Sequence, residues 1–205
     1  ATFENVTVAL DPTGTATEGT DYGTISNLTV SAGDTSGTAT FDPTDDSKYE
    51  SATAETSVVA ITSVSGGNAT ESGTQTATIS ITENESAPTV TLATSGSTLD
   101  ENSNSTLTLT ATLSGTTYEN VTVALTPTGT ATEGTDYETI ADIVISEDAT
   151  TGTTTFETKD DCITEGSTDE TATVAITGVS GCGASESGTQ SVALAIDDDE
   201  GAPVV

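Results

Sequence analysis

The stretch Phe3-Glu4-Asn5-Val6-Thr7-Val8-Ala9-Leu10 returns 115 residues later as Tyr118-Glu119-Asn120-Val121-Thr122-Val123-Ala124-Leu125. Residues 1–90 align with residues 116–205 without a gap, and 51 of the 90 pairs are identical. The nine residues from Gly14 to Tyr22 return unchanged at Gly129 to Tyr137. A match of this extent indicates one duplicated module, so the repeat decides the architecture.

Apolar and polar residues alternate within the repeated module, as in Val121-Thr122-Val123-Ala124-Leu125 and Ser191-Val192-Ala193-Leu194-Ala195-Ile196. Alternation with a period of two, in a sequence rich in Thr and Val, predicts strands with one buried face. Breaks rich in Gly, Asn and Asp recur about every ten residues, which is typical of a sandwich. We therefore predict an all-β fold, an immunoglobulin-like antiparallel β-sandwich in tandem repeats, although high charge and low hydrophobic content are also typical of disorder.

A junction that contains proline occurs at Ser86-Ala87-Pro88 and again at Gly201-Ala202-Pro203. It divides the chain into an incomplete repeat over residues 1–85, a complete repeat over 86–200 and the start of a further repeat over 201–205. The incomplete repeat lacks the two strands predicted around 89–100 and 105–114. We expect a piece of a longer array, in which the missing strands come from the same polypeptide or from another molecule, since open sheet edges invite pairing.

The chain carries 33 acidic residues and two basic ones and has no His, for a formal net charge of −31. Nucleic acids and anionic membrane surfaces are excluded as partners because their phosphates require Lys and Arg, and no apolar run is long enough for membrane insertion. Nucleophilic triads need a base that this chain lacks, so we expect no enzyme activity. Charge of this density needs high salt or millimolar divalent cations, which predicts an extracellular or cell-surface location.

Four acidic clusters lie at the ends of predicted strands of the complete repeat. They are Asp100-Glu101, Asp136, the stretch from Asp160 to Glu170, and Asp197 to Glu200. Because successive loops of an antiparallel sandwich alternate between its two ends, the four clusters are expected to share one end. Carboxylates gathered at short range repel one another strongly. Calcium prefers six to eight hard oxygen ligands, and therefore we predict bound Ca²⁺. Acidic loops that are merely solvated are the alternative.

Three motifs make the chain resemble the Calx-β domain family, which occurs in sodium–calcium exchangers and in arrays within large bacterial surface proteins. They are Gly-Thr-Ala-Thr-Glu-Gly-Thr-Asp-Tyr, Asp-Asp-x-x-x-Glu-Gly and Ile196-Asp197-Asp198-Asp199-Glu200. The resemblance covers 86–200 and most of 1–85, and it implies calcium sites at one end of an immunoglobulin-like sandwich. The ligands that it implies are Glu101, Asp136, Asp160, Asp161, the carbonyl of Ile163, Glu165, Glu170, Asp197, Asp198 and Asp199, with Asp169 as an alternative to Glu170.

The incomplete repeat is expected to bind fewer or weaker ions. Its Glu101 equivalent is missing, Lys48 stands at the position of Ile163, and its tail reads Thr82-Glu83-Asn84-Glu85. The candidate ligands that remain in this repeat are Asp21, Asp45, Asp46, Glu50, Glu55 and Glu83.

Cys162 and Cys182 both lie in the complete repeat, and their counterparts in the other copy are Ser47 and Gly67. Their joint presence in one copy predicts a disulfide, which implies an oxidising compartment. Two unrelated thiols are the alternative, because a hairpin tip and the acidic loop belong to opposite ends of a sandwich. A zinc site is not expected without His or further Cys.

Together these features predict a non-enzymatic structural or adhesive extender of a long extracellular repeat protein or filament, rigidified by calcium at the repeat ends. The expected partners are neighbouring repeats of the same protein, or other copies joined by strand complementation or filament assembly. The alternatives are a calcium-sensing regulatory module and a lectin-like module that binds carbohydrate.

Overall fold

The computed structural model describes residues 1–50, 52–101, 105–160 and 169–198. The chain forms two compact units, one of Ala1–Asp46 and Thr53–Asn84 and the other of Ser47–Ala52 and Glu85–Val205. A short segment of the first sequence repeat, Ser47–Ala52, is therefore part of the second unit. A search of the described residues for a long apolar helix that would cross a membrane finds none.

The regular elements of the described residues are all strands. In chain order they are β1 (Val6–Gly14), β2 (Leu28–Val30), β3 (Lys48–Tyr49), β4 (Glu55–Ser65), β5 (Thr76–Ile81), β6 (Thr89–Thr94), β7 (Thr98–Asp100), β8 (Thr106–Leu113), β9 (Thr116–Thr117), β10 (Val121–Gly129), β11 (Ile143–Ile145), β12 (Thr151–Glu157), β13 (Glu170–Ser180), β14 (Ser185–Glu186) and β15 (Ser191–Asp197).

The second unit contains two larger sheets. One has the strand order β11-β10-β13-β15-β7 and the other the order β12-β8-β6-β14. Neighbours pair antiparallel except at two edges, where β7 runs parallel to β15 and β14 runs parallel to β6. A two-stranded parallel ladder of β3 and β9 completes the unit. The predicted all-β sandwich is confirmed, whereas the division of the chain into the predicted repeats stays a prediction.

The single strand predicted around 89–100 is split between the two sheets. β6 pairs with β8, and after a break at Ser95–Ser97 the chain pairs with β15 as β7. The hydroxyl of Thr94 donates to the carbonyl oxygen of Gly96 (2.7 Å) at this break. A Cβ at Gly96 would lie 2.8 Å from Cδ2 of Leu107, so the close approach favours glycine.

The core of the second unit lies between its two larger sheets, because apolar residues alternate along the strands and most of the large ones face inward. Fully buried members of one cluster come from both sheets and are Val90, Leu109, Val121, Val123, Ile143, Ile145, Phe156 and Val174. Burial of each such side chain contributes on the order of 2 kcal/mol to folding. The inward face therefore supplies the main stabilisation of this unit.

The first unit has one four-stranded sheet with the order β2-β1-β4-β5. These strands correspond in the repeat to β11, β10, β13 and β15, and residues 1–85 align with residues 116–200, a range that does not include β6 and β8. Residues 36–42, which correspond to β12, are not a strand here, whereas β12 forms its whole ladder with β8. The same sequence pattern thus forms a strand in the second unit, where it pairs with β8, and none in the first unit.

The side chains on the inner face of the first unit's sheet are only half-buried. Leu10, Val59 and Ile79 are partly exposed, whereas their counterparts in the second unit are buried. The region around Tyr22, which follows β1, is well packed. Tyr22 is 2 % exposed and stacks on Phe41, with 4.6 Å between the ring centroids. The uncovered face is therefore confined to the region opposite the missing strands.

Leu125 and Leu10 occupy equivalent positions in the two copies of the repeat, and they test this difference in packing. Leu125→Ala should lower the free energy of unfolding of the second unit by about 3 kcal/mol, because a cavity is left in a packed core. Leu10→Ala should cost the first unit about 1 kcal/mol, because its side chain is already partly in water. Chemical denaturation followed by residue-resolved NMR would measure both, and equal losses would contradict the assignment of the open face.

Candidate metal centre

Residues from three of the acidic clusters predicted from the sequence meet at one end of the second unit through strand pairing. Asp100 and Asp197 are register partners in the parallel pair of β7 and β15. The backbone N–H of Glu101 donates to the carbonyl oxygen of Asp197 (2.9 Å), and Glu170 opposes Ile196 in the adjacent pair. The ends of β7, β13 and β15 therefore place these carboxylates next to one another.

Backbone hydrogen bonds attach two further segments to this end. The hydroxyl of Thr158 lies within hydrogen-bond distance of the carbonyl oxygens of Asp100 (2.9 Å) and Ser105 (3.3 Å). The N–H of the next residue, Lys159, donates to the carbonyl oxygen of Asp136 (3.0 Å). Asp160 follows directly and is exposed. Thr158 is fully buried and went unrecognised in the sequence, where threonine is too common to mark a site.

Asp136 is held rigidly by its own loop. Its Oδ2 accepts the N–H of Thr132 (2.5 Å), and its own N–H donates to the carbonyl oxygen of Thr132 (3.0 Å). The side chain is only 4 % exposed. The neighbouring Tyr137 stacks on Phe156, with 4.8 Å between ring centroids, and burial, aided by the charges of Glu133 and Asp136, raises its pKa. This carboxylate is thus fixed in place before any ligand binds.

Negative charges repel one another at this end. Asp169 raises the pKa of Asp197, mainly through Coulomb repulsion and then through a side-chain hydrogen bond, with smaller contributions from desolvation and from Asp100. Glu101 is fully buried. The ammonium group of Lys159 is directed to the carbonyl oxygen of Gly134 (2.9 Å) instead. The donor set consists of hard oxygen atoms and suits a divalent cation such as calcium.

Several predicted ligands cannot be placed in this geometry. Asp161, Ile163, Glu165 and Asp199 lie outside the described residues. Asp198 is half-buried next to Asp197. Among the described side chains of the second unit, carboxylates do not form a group of three with oxygens within 4.8 Å of one another. The complete ligand set therefore stays a prediction.

The first unit brings together two of its predicted ligands, Asp21 and Glu55, whose carboxylate oxygens lie within 4.8 Å of each other. Oδ2 of Asp21 accepts the N–H of Thr17 (2.5 Å), as Asp136 does in the other copy. Oδ1 of Asp45 accepts a hydrogen bond from the side-chain amide of Asn84 (2.9 Å).

Asn84 stands where the second copy has Asp199, so an amide donor replaces a carboxylate in the first unit. Of the other predicted ligands of this copy, Asp46 is exposed, and Glu83 and Glu50 are half-buried, with Glu50 in the segment assigned to the second unit. The expectation that this copy binds fewer or weaker ions stays a prediction.

Cys182 is a free thiol in the structure. It lies just beyond the end of β13, in the turn that leads to β14, and its Sγ is 3.8 Å from the carbonyl oxygen of Glu119. The acidic end begins at Glu170, at the other end of this eleven-residue strand, about 35 Å away. The disulfide predicted between Cys162 and Cys182 is therefore corrected to a free thiol at Cys182, while Cys162 lies outside the described residues.

The comparison with solved structures finds similar proteins. No family model matches the sequence, and no curated protein matches it. The apo form of the Calx CBD1 domain is 19% identical and aligns over 55% of this chain and 99% of its own, with a TM-score of 0.45. The calcium-binding domain CBD12 of CALX1.1 is 15% identical over 95% of this chain and 87% of its own, with a TM-score of 0.35.

A third structure, CBD12 from CALX1.2, is 17% identical over 96% of this chain and 88% of its own, with a TM-score of 0.37. These likenesses concern the fold alone. The sandwich is established by the two larger sheets of the second unit, and the acidic end by the hydrogen bonds and strand pairings described above.

The repulsion between Asp169 and Asp197 predicts an effect of pH. A raised pKa in the folded state means that the favourable contribution of Asp197 is present below the pKa of an unfolded aspartate and is lost as the pH rises through the raised value. Asp169→Asn should therefore raise the melting temperature of the metal-free protein at pH 7, and the gain should shrink on acidification through the aspartate range. Circular dichroism in chelator would measure it; a lower melting temperature at pH 7 would contradict the repulsion.

Proposed function

We propose that this chain is a calcium-binding, non-enzymatic module that acts as a structural or adhesive extender in a long extracellular repeat protein or filament. The observation that carries the proposal is the gathering of acidic residues from separate segments at one end of the second unit. Strand pairing holds Asp100 and Asp197 side by side. A cation bound there removes a repulsion that folding itself creates.

Calcium is the cation that best suits these donors. Side chains at this end offer carboxylate and hydroxyl oxygens, the backbone offers carbonyl oxygens, and the chain has no His. The thiol of Cys182 lies at the opposite end of β13, so the described residues of this end include no soft ligand for zinc or copper. Magnesium demands near-ideal octahedral geometry and retains its waters, whereas calcium accepts irregular sets of six to eight oxygens.

The extender role is supported by the way in which the sequence repeats share a structural unit. β3 comes from the first sequence repeat, yet it pairs with β9 inside the second unit, with Lys48 opposite Thr116 and Tyr49 opposite Thr117. Tyr49 is 6 % exposed, and Lys48 forms an ion pair with Asp148. Sharing of this kind ties consecutive repeats together, which is what a stiff array requires.

Thermal and chemical unfolding of the full chain in calcium, in magnesium and in chelator tests the proposal. Calcium at a hundred times the dissociation constant should add about 2.7 kcal/mol to the free energy of unfolding of the second unit. Glu101→Gln and Asp197→Asn should each reduce this gain. Glu147→Gln is the matched control, because Glu147 is exposed and its N–H bonds Asn120, beyond the opposite end of β10.

The affinity decides between the extender and its alternatives. Structural sites outside cells bind calcium at roughly 10⁻⁴–10⁻³ M, and sensors bind it at about 10⁻⁷–10⁻⁵ M. Calorimetry that gave sub-micromolar binding would favour a calcium sensor, and specific binding on a glycan array would favour the lectin-like module. Equal stability in calcium, magnesium and chelator would contradict the calcium site itself.

A further inference from the structure

A short segment of the first sequence repeat, residues 47–50, docks within the second unit and is termed the docking segment. Its strand β3 forms the parallel ladder with β9. The carbonyl oxygen of Ser47 accepts the hydroxyl of Thr116 (2.9 Å), and the carbonyl oxygen of Tyr49 accepts the N–H of Tyr118 (3.3 Å). Main-chain hydrogen bonds of this kind give affinity without regard to sequence, so any selectivity must come from side chains.

Tyr49 is the side chain that anchors the docking segment, since it is almost completely buried. A Cβ placed on Gly183 would lie 3.3 Å from the hydroxyl oxygen of Tyr49 and 3.4 Å from its Cε1. Because protein interiors are closely packed, a side chain at position 183 would compete with the tyrosine for this space. Glycine at position 183 therefore leaves the room that Tyr49 occupies.

The first copy has Asn68 at the position of Gly183. Both residues are left-handed, with φ of 51° for Asn68 and 59° for Gly183. Asparagine therefore suits this backbone, because it tolerates positive φ better than most residues. What distinguishes the two copies here is the space beside the turn and not the conformation of the turn.

The second side-chain contact of the docking segment is the ion pair of Lys48 with Asp148. Lys48 is one of two basic residues against 33 acidic ones, so its charge reduces the repulsion that an acidic segment would meet there. Asp148 has φ of 64°, in the region that favours glycine, and the first copy has Gly33 at this position. The second copy thus keeps an acidic residue at a strained position, where Lys48 is its partner.

The four residues that make these side-chain contacts all differ between the copies, although 51 of the 90 aligned positions are identical. In the docking segment and then on the surface that receives it, Lys48, Tyr49, Asp148 and Gly183 correspond to Ile163, Thr164, Gly33 and Asn68. Each replacement removes one feature of the contact: the positive charge, the aromatic ring, the negative charge or the space. The docking segment of the first copy therefore matches the surface of the second copy in particular.

We propose that the docking segment and its acceptor surface, formed by Thr116, Thr117, Asp148 and Gly183, determine which repeat can follow which. The occupant of the acceptor surface is the Lys-Tyr segment of the preceding repeat, here residues 47–50. A segment that carries Ile-Thr, or a surface that carries asparagine in place of Gly183, is selected against. This inference rests on the proposed extender function, since the order of repeats matters only in an array, and it does not depend on calcium.

Limited proteolysis of the full chain with trypsin tests the proposal, because Lys48 and Lys159 are the only two residues after which this protease cleaves the sequence. Cleavage at Lys48 requires the docking segment to leave the acceptor surface, so its rate follows the population of the open form. Cleavage at Lys159 is the internal reference. Mass spectrometry of the fragments, at one fixed calcium concentration, gives the ratio of the two rates.

Gly183→Asn should raise this ratio about tenfold, because the new side chain competes with Tyr49 for space. Tyr49→Thr should raise it to a similar extent, and adding Gly183→Asn to that variant should have no further effect. Asp148→Asn removes the charge and keeps a residue that tolerates positive φ. It should raise the ratio about twofold, as expected of a partly exposed ion pair.

The matched control is Asn68→Gly, the reverse substitution at the equivalent position of the first unit. Asn68 is exposed, and its replacement should leave the ratio unchanged. The rise in melting temperature caused by calcium should be the same in every variant. A failure of the docking contact is therefore distinguishable from a failure of the calcium site.

Three results would overturn the proposal. The first is an unchanged ratio in both Tyr49→Thr and Asp148→Asn. The second is an effect of Gly183→Asn that is equally large in the Tyr49→Thr background, since asparagine would then act on the turn and not on the tyrosine. The third is cleavage at Lys159 that rises as much as cleavage at Lys48 in every variant. If Gly183→Asn alone loosens both sites, the other two variants decide.

Discussion

The contact on which the rest of the structure depends is the burial of the inner face of β10, β13 and β15 against β6 and β8. In the second unit this contact leaves Val123 and Val174 with no exposed surface. At roughly 25 cal/mol for each Å² of apolar surface removed from water, no other interaction of this unit is of comparable size. Where the covering strands are missing, the same residues of the duplicated sequence stay half-exposed and residues 36–42 do not form a strand.

The acidic end follows from that packing. β6 lies in one sheet and β7 lies in the other beside β15, and the register of β7 places Asp100 beside Asp197. The chain has two basic residues against 33 acidic ones, so its own cations cannot neutralise the clusters. Folding thus concentrates charge, and a cation bound at this end would link stability to ion binding.

Much of this architecture is predictable from sequence because it depends on local periodicity. The alternation Val121-Thr122-Val123 marks a half-buried strand by itself, and loop alternation in a sandwich predicts that Glu101 and Asp197 meet. The sequence does not predict the features that depend on tertiary contacts. Residues 36–42 alternate as well as β12 does, yet they lack a pairing partner. Thr158 is a common polar residue whose role appears only from its contacts.

The corrected disulfide has a different cause. Its prediction rested on the joint presence of Cys162 and Cys182 in one copy, which carries no distance information. Strand geometry carries that information, since β13 separates Cys182 from the acidic end by its whole length. Co-occurrence in a repeat is therefore weaker evidence for a contact than the register of the strands.

Amide hydrogen exchange of the full chain tests the central claim most directly, because one sample compares two copies of one sequence. The account predicts that Val174 in β13 exchanges far more slowly than Val59 at the equivalent position in β4, because only Val174 lies beneath a second sheet. Equal protection at the two positions would contradict it, since the covering strands would then not be what stabilises this sheet.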